Sequence, residues 1–308
     1  MKIVITGGAG FIGSHLAEFW TQMGNEVVVL DNLRSGFTKN IENINNVELV
    51  NASITDRNQV FNVLEGADYV FNLAAMISVP ESIEKPEECV NINVLGLLNV
   101  LDAAKKHKVK KVVHSSSAAV YGDDPVLPKK VDMRPKPLSP YGITKLDGEY
   151  YLQMYKDQYD LNTTSLRYFN VFGPRQDPKS QYAAAVPIFI YKALKNDTIT
   201  IYGDGEQTRD FIFVKDVVNA NVLAAKKESI SGVFNVANEQ TISIKQLAKK
   251  IIELTNSSSR IVYEAERPGD IKHSYASIKE TREVLGFEPQ HNIDSALIET
   301  INFFKTKL

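Results

Sequence analysis

Thr6-Gly7-Gly8-Ala9-Gly10-Phe11-Ile12-Gly13 decides how the rest of the chain is read. Before it, Lys2-Ile3-Val4-Ile5-Thr6 has the β-branched run of a short buried strand. After it, Ile12–Met23 carries apolar residues at helical spacing and stops at Gly24, a natural C-cap. A glycine-rich turn between a strand and a helix is a phosphate loop. Gly7 permits the tight turn, Gly10 lets backbone N–H groups approach a pyrophosphate, and Gly13 lets the helix lie close to the strand. The helix start at Phe11 and Ile12 adds a dipole that favours the anion.

Further along, Glu26–Asp31, Val47–Asn51, Asp68–Leu73, Lys111–Ser116 and Thr164–Tyr168 read as strands. Helical patterns separate them: one capped by Asp56 and ending near Gly66, another running over Glu87–Lys108. Such alternation predicts an α/β fold, a Rossmann-type doubly wound parallel sheet covered on both faces. Beyond Val171, Gly173-Pro174, Asp177-Pro178, Gly203-Asp204-Gly205 and Pro268-Gly269 punctuate shorter elements, which predicts a smaller C-terminal α/β lobe. The division expected is residues 1–170 for a dinucleotide and 171–308 for a substrate. Helix Lys215–Lys227 and strand Gly232–Val236, within 211–236, are long and apolar enough to pack back onto the first lobe.

Asp31 ends the second strand, where its carboxylate can accept hydrogen bonds from an adenosine ribose, with Asn32 beside it. A 2′-phosphate there would meet like charge, so NAD is expected rather than NADP. Arg34, three residues on, could soften that repulsion.

The 308 residues are 44% hydrophobic and 23% charged, ample for a core and against wholesale disorder. The net charge of −2 gives no reason to expect nucleic acid or an anionic membrane as partner. A single cysteine, Cys89, excludes an internal disulfide framework, and the five histidines show no metal-ligand pairing, so no metal is expected. The apolar start at Ile3 is interrupted by Thr6–Gly10 before a signal sequence can form. Ala183 to Tyr191 is broken by Pro187 and far short of the ~20 residues of a membrane span. A cytoplasmic protein is the expectation.

Two further segments carry chemistry. Tyr141-Gly142-Ile143-Thr144-Lys145 sets a phenol and an ammonium four residues apart on one helix face, and Ser115-Ser116-Ser117 ends a strand at the edge where open α/β sheets bind ligands. A tyrosine pKa of ~10 must fall roughly three units, about 4 kcal/mol, to ionise near neutrality. Lys145 and an oxidised nicotinamide are both cationic and push that way. Tyr141 then serves as general base, Lys145 holds the ribose and acidifies the phenol, and Ser117 orients the reacting hydroxyl.

With glycine loop, acidic strand end, serine-ended strand and YxxxK in this order, the chain resembles the extended short-chain dehydrogenase/reductases from Lys2 to at least Gly286. Within them it is similar to the UDP-hexose 4-epimerases. That resemblance implies cofactor contacts at Leu73-Ala74-Ala75, a helix-borne Asn93 beneath the site, and Tyr168 by the cofactor within Tyr168-Phe169-Asn170. It implies Asn170 on the nucleotide sugar, and Arg209 and Arg267 clamping the UDP diphosphate, the latter within Arg267-Pro268-Gly269-Asp270. Ser53-Ile54 stands where relatives carry Asp-Ile against adenine, and serine still offers one hydrogen bond.

Dehydratase relatives carry Asp-Glu after the strand's serine, and decarboxylases Glu; here those places are Ala118 and Ala119. The resemblance therefore implies C4 inversion through a 4-keto sugar, with a sugar-nucleotide reductase, a dehydratase and a non-catalytic NAD-binding regulator as alternatives. Ser274, four residues after Asp270, is small where a tyrosine would exclude an N-acetyl group. Arg175-Gln176-Asp177-Pro178 also resembles the N-acetylhexosamine-active branch, with Gln176 at the substrate. Both imply UDP-GlcNAc/UDP-GalNAc alongside UDP-glucose/UDP-galactose as substrates. By the same resemblance, helices Glu87–Lys108 and Gly142–Tyr159 form a homodimer interface.

Overall fold

The computed structural model describes residues 1–178, 184–266 and 272–307. Strands β1 (Lys2–Thr6), β2 (Glu26–Leu30), β3 (Val47–Val50), β4 (Tyr69–Asn72), β5 (Lys111–Ser117) and β6 (Thr163–Tyr168) lie in one seven-stranded sheet with Gly232–Val236. Reading across, Gly232–Val236 is followed by β6, β5, β4, β1, β2 and β3, and every neighbouring pair is parallel. The strands expected from the sequence are all present, with ends moved by a single residue at most. Their apolar runs are nearly unbroken because helices cover both faces.

On one face, α1 (Phe11–Gln22) and helix Val214–Lys226 pack side by side. Trp20 of α1 sets its ring 5.9 Å from Tyr69 and 5.8 Å from Phe71 on β4. The other face is covered by helices Arg57–Leu64, Gly96–Lys106 and Pro140–Tyr159, which bury Val63, Leu101 and Leu152 against Val4, Val70 and Val112. A third apolar cluster, with Phe172, Phe189, Ile201, Leu247 and Ile301, joins helices Ala185–Leu194, Ile244–Thr255 and Ile293–Lys305 to the strand pair Ile199–Tyr202 and Ile261–Glu264.

The helix expected over Glu87–Lys108 is not regular. It runs as Pro86–Val90, a wide π turn at Asn91–Leu95, and Gly96–Lys106. Asn93, inside the wide turn, accepts a hydrogen bond from Met76 N (2.7 Å) and donates to Met76 O (3.1 Å). A π turn inserts one residue and so re-aims a side chain that a regular helix would point elsewhere. Strand order reverses between β1 and β4, so their carboxyl ends diverge and open a crevice.

Candidate active site

The loop after β1 begins that crevice. Gly10 caps α1 without a side-chain bond, so the first amides of the helix, at Phe11, Ile12 and Gly13, have no side-chain partner there. Gly7 has φ +69°, and a Cβ on it would come within 2.7 Å of Ala74 N; one on Gly13 would come within 2.3 Å of Gly7 O. A side chain at either place would collide with that backbone, so glycine keeps the loop tight and leaves the helix-start amides as a cradle that fits a diphosphate. The cradle forms one end of a cavity of about 600 Å³ lined by Gly7, Gly10, Phe11, Ile12 and Gly13. Leu73, Ala74 and Ala75, at the end of β4, form its next wall.

Asp31 also lines the cavity, just past β2, and only 7% of it is exposed. Its Oδ2 accepts from Ala9 N at 3.0 Å and its Oδ1 from Leu33 N at 2.8 Å. Burial nevertheless raises its pKa. Asn32, Ser53 and Ile54 line the same end, with Ser53 Oγ 2.8 Å from Thr55 Oγ1 and Ile54 packed against helix Gly96–Lys106. A Cβ on Gly96 would press to 2.6 Å from Ile54 Cδ1, so glycine there lets the helix approach. The Arg34 guanidinium, beside the cavity, is engaged by Glu81 (Nη2 to Oε1, 2.8 Å) and by Glu88. Helix Val79–Glu84 and helix Pro86–Val90 are thereby tied to the loop after β2.

At the other end of the cavity, Ser139 caps helix Pro140–Tyr159 by accepting from Gly142 N at 3.1 Å, with Pro140 at the first helical position. This start places Tyr141 and Lys145 one turn apart, facing the end of β5. Lys145 is buried and donates from Nζ to Ser115 O at 2.7 Å. Its Nζ lies 5.8 Å from the centre of the Tyr141 ring. Ser117, Tyr141 and Lys145 all line the cavity, as do Tyr168 and Asn170. Tyr168 donates to Asn221 Oδ1 (2.9 Å), and Asn170 Nδ2 to Asp210 O (3.1 Å).

Burial sets the electrostatics of Tyr141 and Lys145. Burial pushes the Tyr141 phenol above its usual value, and the Ser117 hydroxyl only partly offsets this. Burial also pulls Lys145 down to about 8. Burial thus opposes charge on both groups.

Gln176 lines the cavity too, donating from Nε2 to Val171 O at 3.2 Å. Its buried Oε1 has no hydrogen-bond partner among the described residues, which leaves an acceptor for a ligand. Neighbouring Arg175 holds a left-handed backbone, φ +68°, and pairs with Glu18 at 2.7 Å.

Two groups of expected residues do not line the cavity, and a third falls outside the described residues. Asn93 does not reach the cavity: its carboxamide is taken up by Met76 and by Thr144 Oγ1 (3.0 Å), which ties the loop after β4 to the Tyr141 helix. Arg209 and Ser274 come together on the C-terminal lobe, where Ser274 N donates to Thr208 O at 3.1 Å and Arg209 Nη1 reaches Lys272 O at 3.4 Å. Arg267 and Asp270 lie outside the described residues. Sequence reading overlooked the Arg34–Glu81–Glu88 contact and Asn40, which lines the cavity and donates to Ala9 O at 2.9 Å. The charge of Arg34 was visible, but its partners come from a distant helix pair.

A family model described as the NAD dependent epimerase/dehydratase family matches residues 3–237. A UDP-glucose 4-epimerase of Mycolicibacterium smegmatis is 38% identical over 312 residues, covering 100% of this chain and 99% of the relative. Among solved structures, a UDP-N-acetylglucosamine 4-epimerase from Methanobrevibacter ruminantium M1, in complex with UDP-N-acetylmuramic acid, superposes with a TM-score of 0.95 at 40% identity. It covers 100% of this chain and 99% of that one. A UDP-glucose 4-epimerase with UDP-glucose from Thermotoga maritima also gives 0.95, at 38% identity and the same coverage.

Proposed function

The chain belongs to the NAD dependent epimerase/dehydratase family, and we propose that it inverts C4 of UDP-hexoses. The pairs are UDP-glucose/UDP-galactose and UDP-GlcNAc/UDP-GalNAc. One observation carries this choice within the family. Ser117, Tyr141 and Lys145 surround the cavity, while the residues that follow Ser117 are Ala118 and Ala119. Ser117 Oγ accepts from Ala119 N at 3.1 Å, so the turn is built from backbone and holds no carboxyl group to expel water.

The glycine cradle and Asp31 would hold NAD, with Tyr168 and Lys145 toward its nicotinamide end. Bound there, NAD supplies a two-electron acceptor at sugar C4 and, once reduced, the donor that returns the electrons to the opposite face. Tyr141 removes the C4 hydroxyl proton and later gives it back to the ketone oxygen. Ser117 donates to that oxygen and keeps it in line with the phenol. Lys145, as an ammonium, stabilises the phenolate. No acid, base or electron is consumed over the cycle. Arg209, Arg267, Asn170 and Gln176 hold the UDP-sugar, so residues 1–170 serve the dinucleotide and 171–308 the substrate, with 211–236 shared.

Incubating the protein with each of the four UDP-sugars, without added cofactor, and reading C4 configuration by NMR tests this. Inversion is expected; none with any sugar refutes it. A reductase would instead emerge from purification without NAD and exchange NADPH freely.

Selection of NAD depends on Arg34 being engaged. Glu81→Gln combined with Glu88→Gln releases the guanidinium beside Asp31, and affinity for NADP relative to NAD is expected to rise about tenfold. Unchanged selectivity by calorimetric titration would show that Arg34 plays no such part.

The reaction is assigned to the cytoplasm, where nucleotide sugars and NAD are available. No helix among the described residues is long and apolar enough to cross a membrane. A homodimer fits the exposed apolar side chains Val90, Leu95, Ile143 and Tyr150, carried by the helix pair expected to form its interface. Sedimentation equilibrium at twice the chain mass is the expected result.

A further inference from the structure

Glu149 follows Lys145 by one turn on helix Pro140–Tyr159 and is buried. Its Oε1 accepts from Ser116 Oγ and from Arg167 Nε (2.8 Å), and its Oε2 from Arg167 Nη2 (2.7 Å). The two side chains are 3% and 4% exposed. Arg167 also lies over the Tyr121 ring, 4.8 Å from its centre, and Tyr121 donates to Asn235 Oδ1 at 2.7 Å. Asn235 Nδ2 in turn donates to Lys129 O and Ser277 O, each at 3.1 Å.

A buried ion pair of this kind is commonly no more stabilising than apolar residues of the same volume. Its placement is more informative. Three successive serines at the end of β5 each engage one of three residues spaced a turn apart on the helix. Ser117 acts on Tyr141, Ser115 O receives Lys145, and Ser116 Oγ donates to Glu149. The third contact fixes the register of the other two.

Charge matters as well. Lys145 has no carboxylate within ion-pair distance among the described residues. The titratable groups facing it are Tyr141 and Glu149 from its own helix, Cys89 from helix Pro86–Val90, and His114 from β5. Burial keeps the Cys89 thiol protonated and the His114 ring neutral. Cys89 and then Glu149 favour the lysine's charged form, and Glu149 is the carboxylate of the two.

Resting on the epimerase reading, we propose that Glu149, anchored by Arg167 and Ser116, is a positioning residue: it sets the catalytic helix in register on β5 and keeps Lys145 an ammonium. In Glu149→Gln, kcat falls about 10- to 100-fold while KM stays within about threefold. The alkaline limb of the kcat profile, where Lys145 loses its proton, moves acidward by about one pH unit.

Because Arg167 is left buried without its partner in that variant, Glu149→Leu with Arg167→Met is the control for folding. It is expected to melt within a few degrees of the parent yet keep both the kcat loss and the acidward limb. Recovery of parental kcat and limb in the double variant would mean that the pair only supports the fold, and the proposal falls. Carbon NMR of the Lys145 ε-methylene, assigned through Lys145→Met, reads the same charge without turnover. A resonance that titrates at the parental pH in Glu149→Gln also overturns the proposal. If the parent protein inverts no UDP-sugar, the epimerase reading fails while the NMR arm still decides the role of Glu149.

Discussion

Tyr141→Phe is expected to lower kcat for C4 inversion by about 10³-fold or more, with UDP-sugar and NAD still bound. In the proposed reaction the phenol is the general base in the forward half and the acid in the return half, so its loss would affect both. The ring itself is half-buried beside Ser117 and Lys145, and phenylalanine keeps its packing. Calorimetric titration separates the two effects: retained affinity with lost turnover is the expected pair of results. Turnover within tenfold of the parent would remove Tyr141 from the reaction. The electrostatics add a condition. Since burial raises the phenol's pKa, the protein without bound NAD is expected to show no low-pH tyrosinate at position 141. Ultraviolet difference titration against Tyr141→Phe checks this.

Ser274→Tyr is the second large effect. Ser274 is half-buried beside Arg209, held by its backbone N–H on Thr208 O. Next to it, His273 Nδ1 lies 2.9 Å from Thr208 Oγ1, so the backbone there is fixed from two sides and cannot easily retreat from a larger side chain. A phenol in that position is expected to cut kcat/KM for UDP-GlcNAc and UDP-GalNAc by at least about 100-fold through overlap with the N-acetyl group. The unacetylated pair is expected to stay within about threefold. Equal loss on both pairs would mean that Ser274 does not face the sugar's 2-substituent.

What could be read from the chain was what depends on neighbours in sequence. The strand–glycine loop–helix unit at Lys2–Gln22, the Asp31 strand end and the turn spacing of Tyr141 and Lys145 are local patterns, and the structure brings them to one cavity. Asn93, expected beneath the site, does not line the cavity, and its carboxamide serves Met76 and Thr144. The π turn that aims it has no period of its own to betray it. The partners of Arg34 lie beyond the reach of local reading, since Glu81 and Glu88 meet it only after the sheet forms. The upward push of burial on the Tyr141 phenol was not legible either, because burial depends on the whole packed site.

The strand Gly232–Val236 crosses back from the far side of the molecule to zip alongside β6. A fragment cut near residue 170 would leave that border of the sheet with bare amides and carbonyls, an invitation to clumping. The two halves therefore cannot be traded like cassettes between relatives. A graft of the C-terminal residues must also carry its own closing strand and the helix Val214–Lys226 that leads into it, or the seven-stranded sheet arrives unfinished.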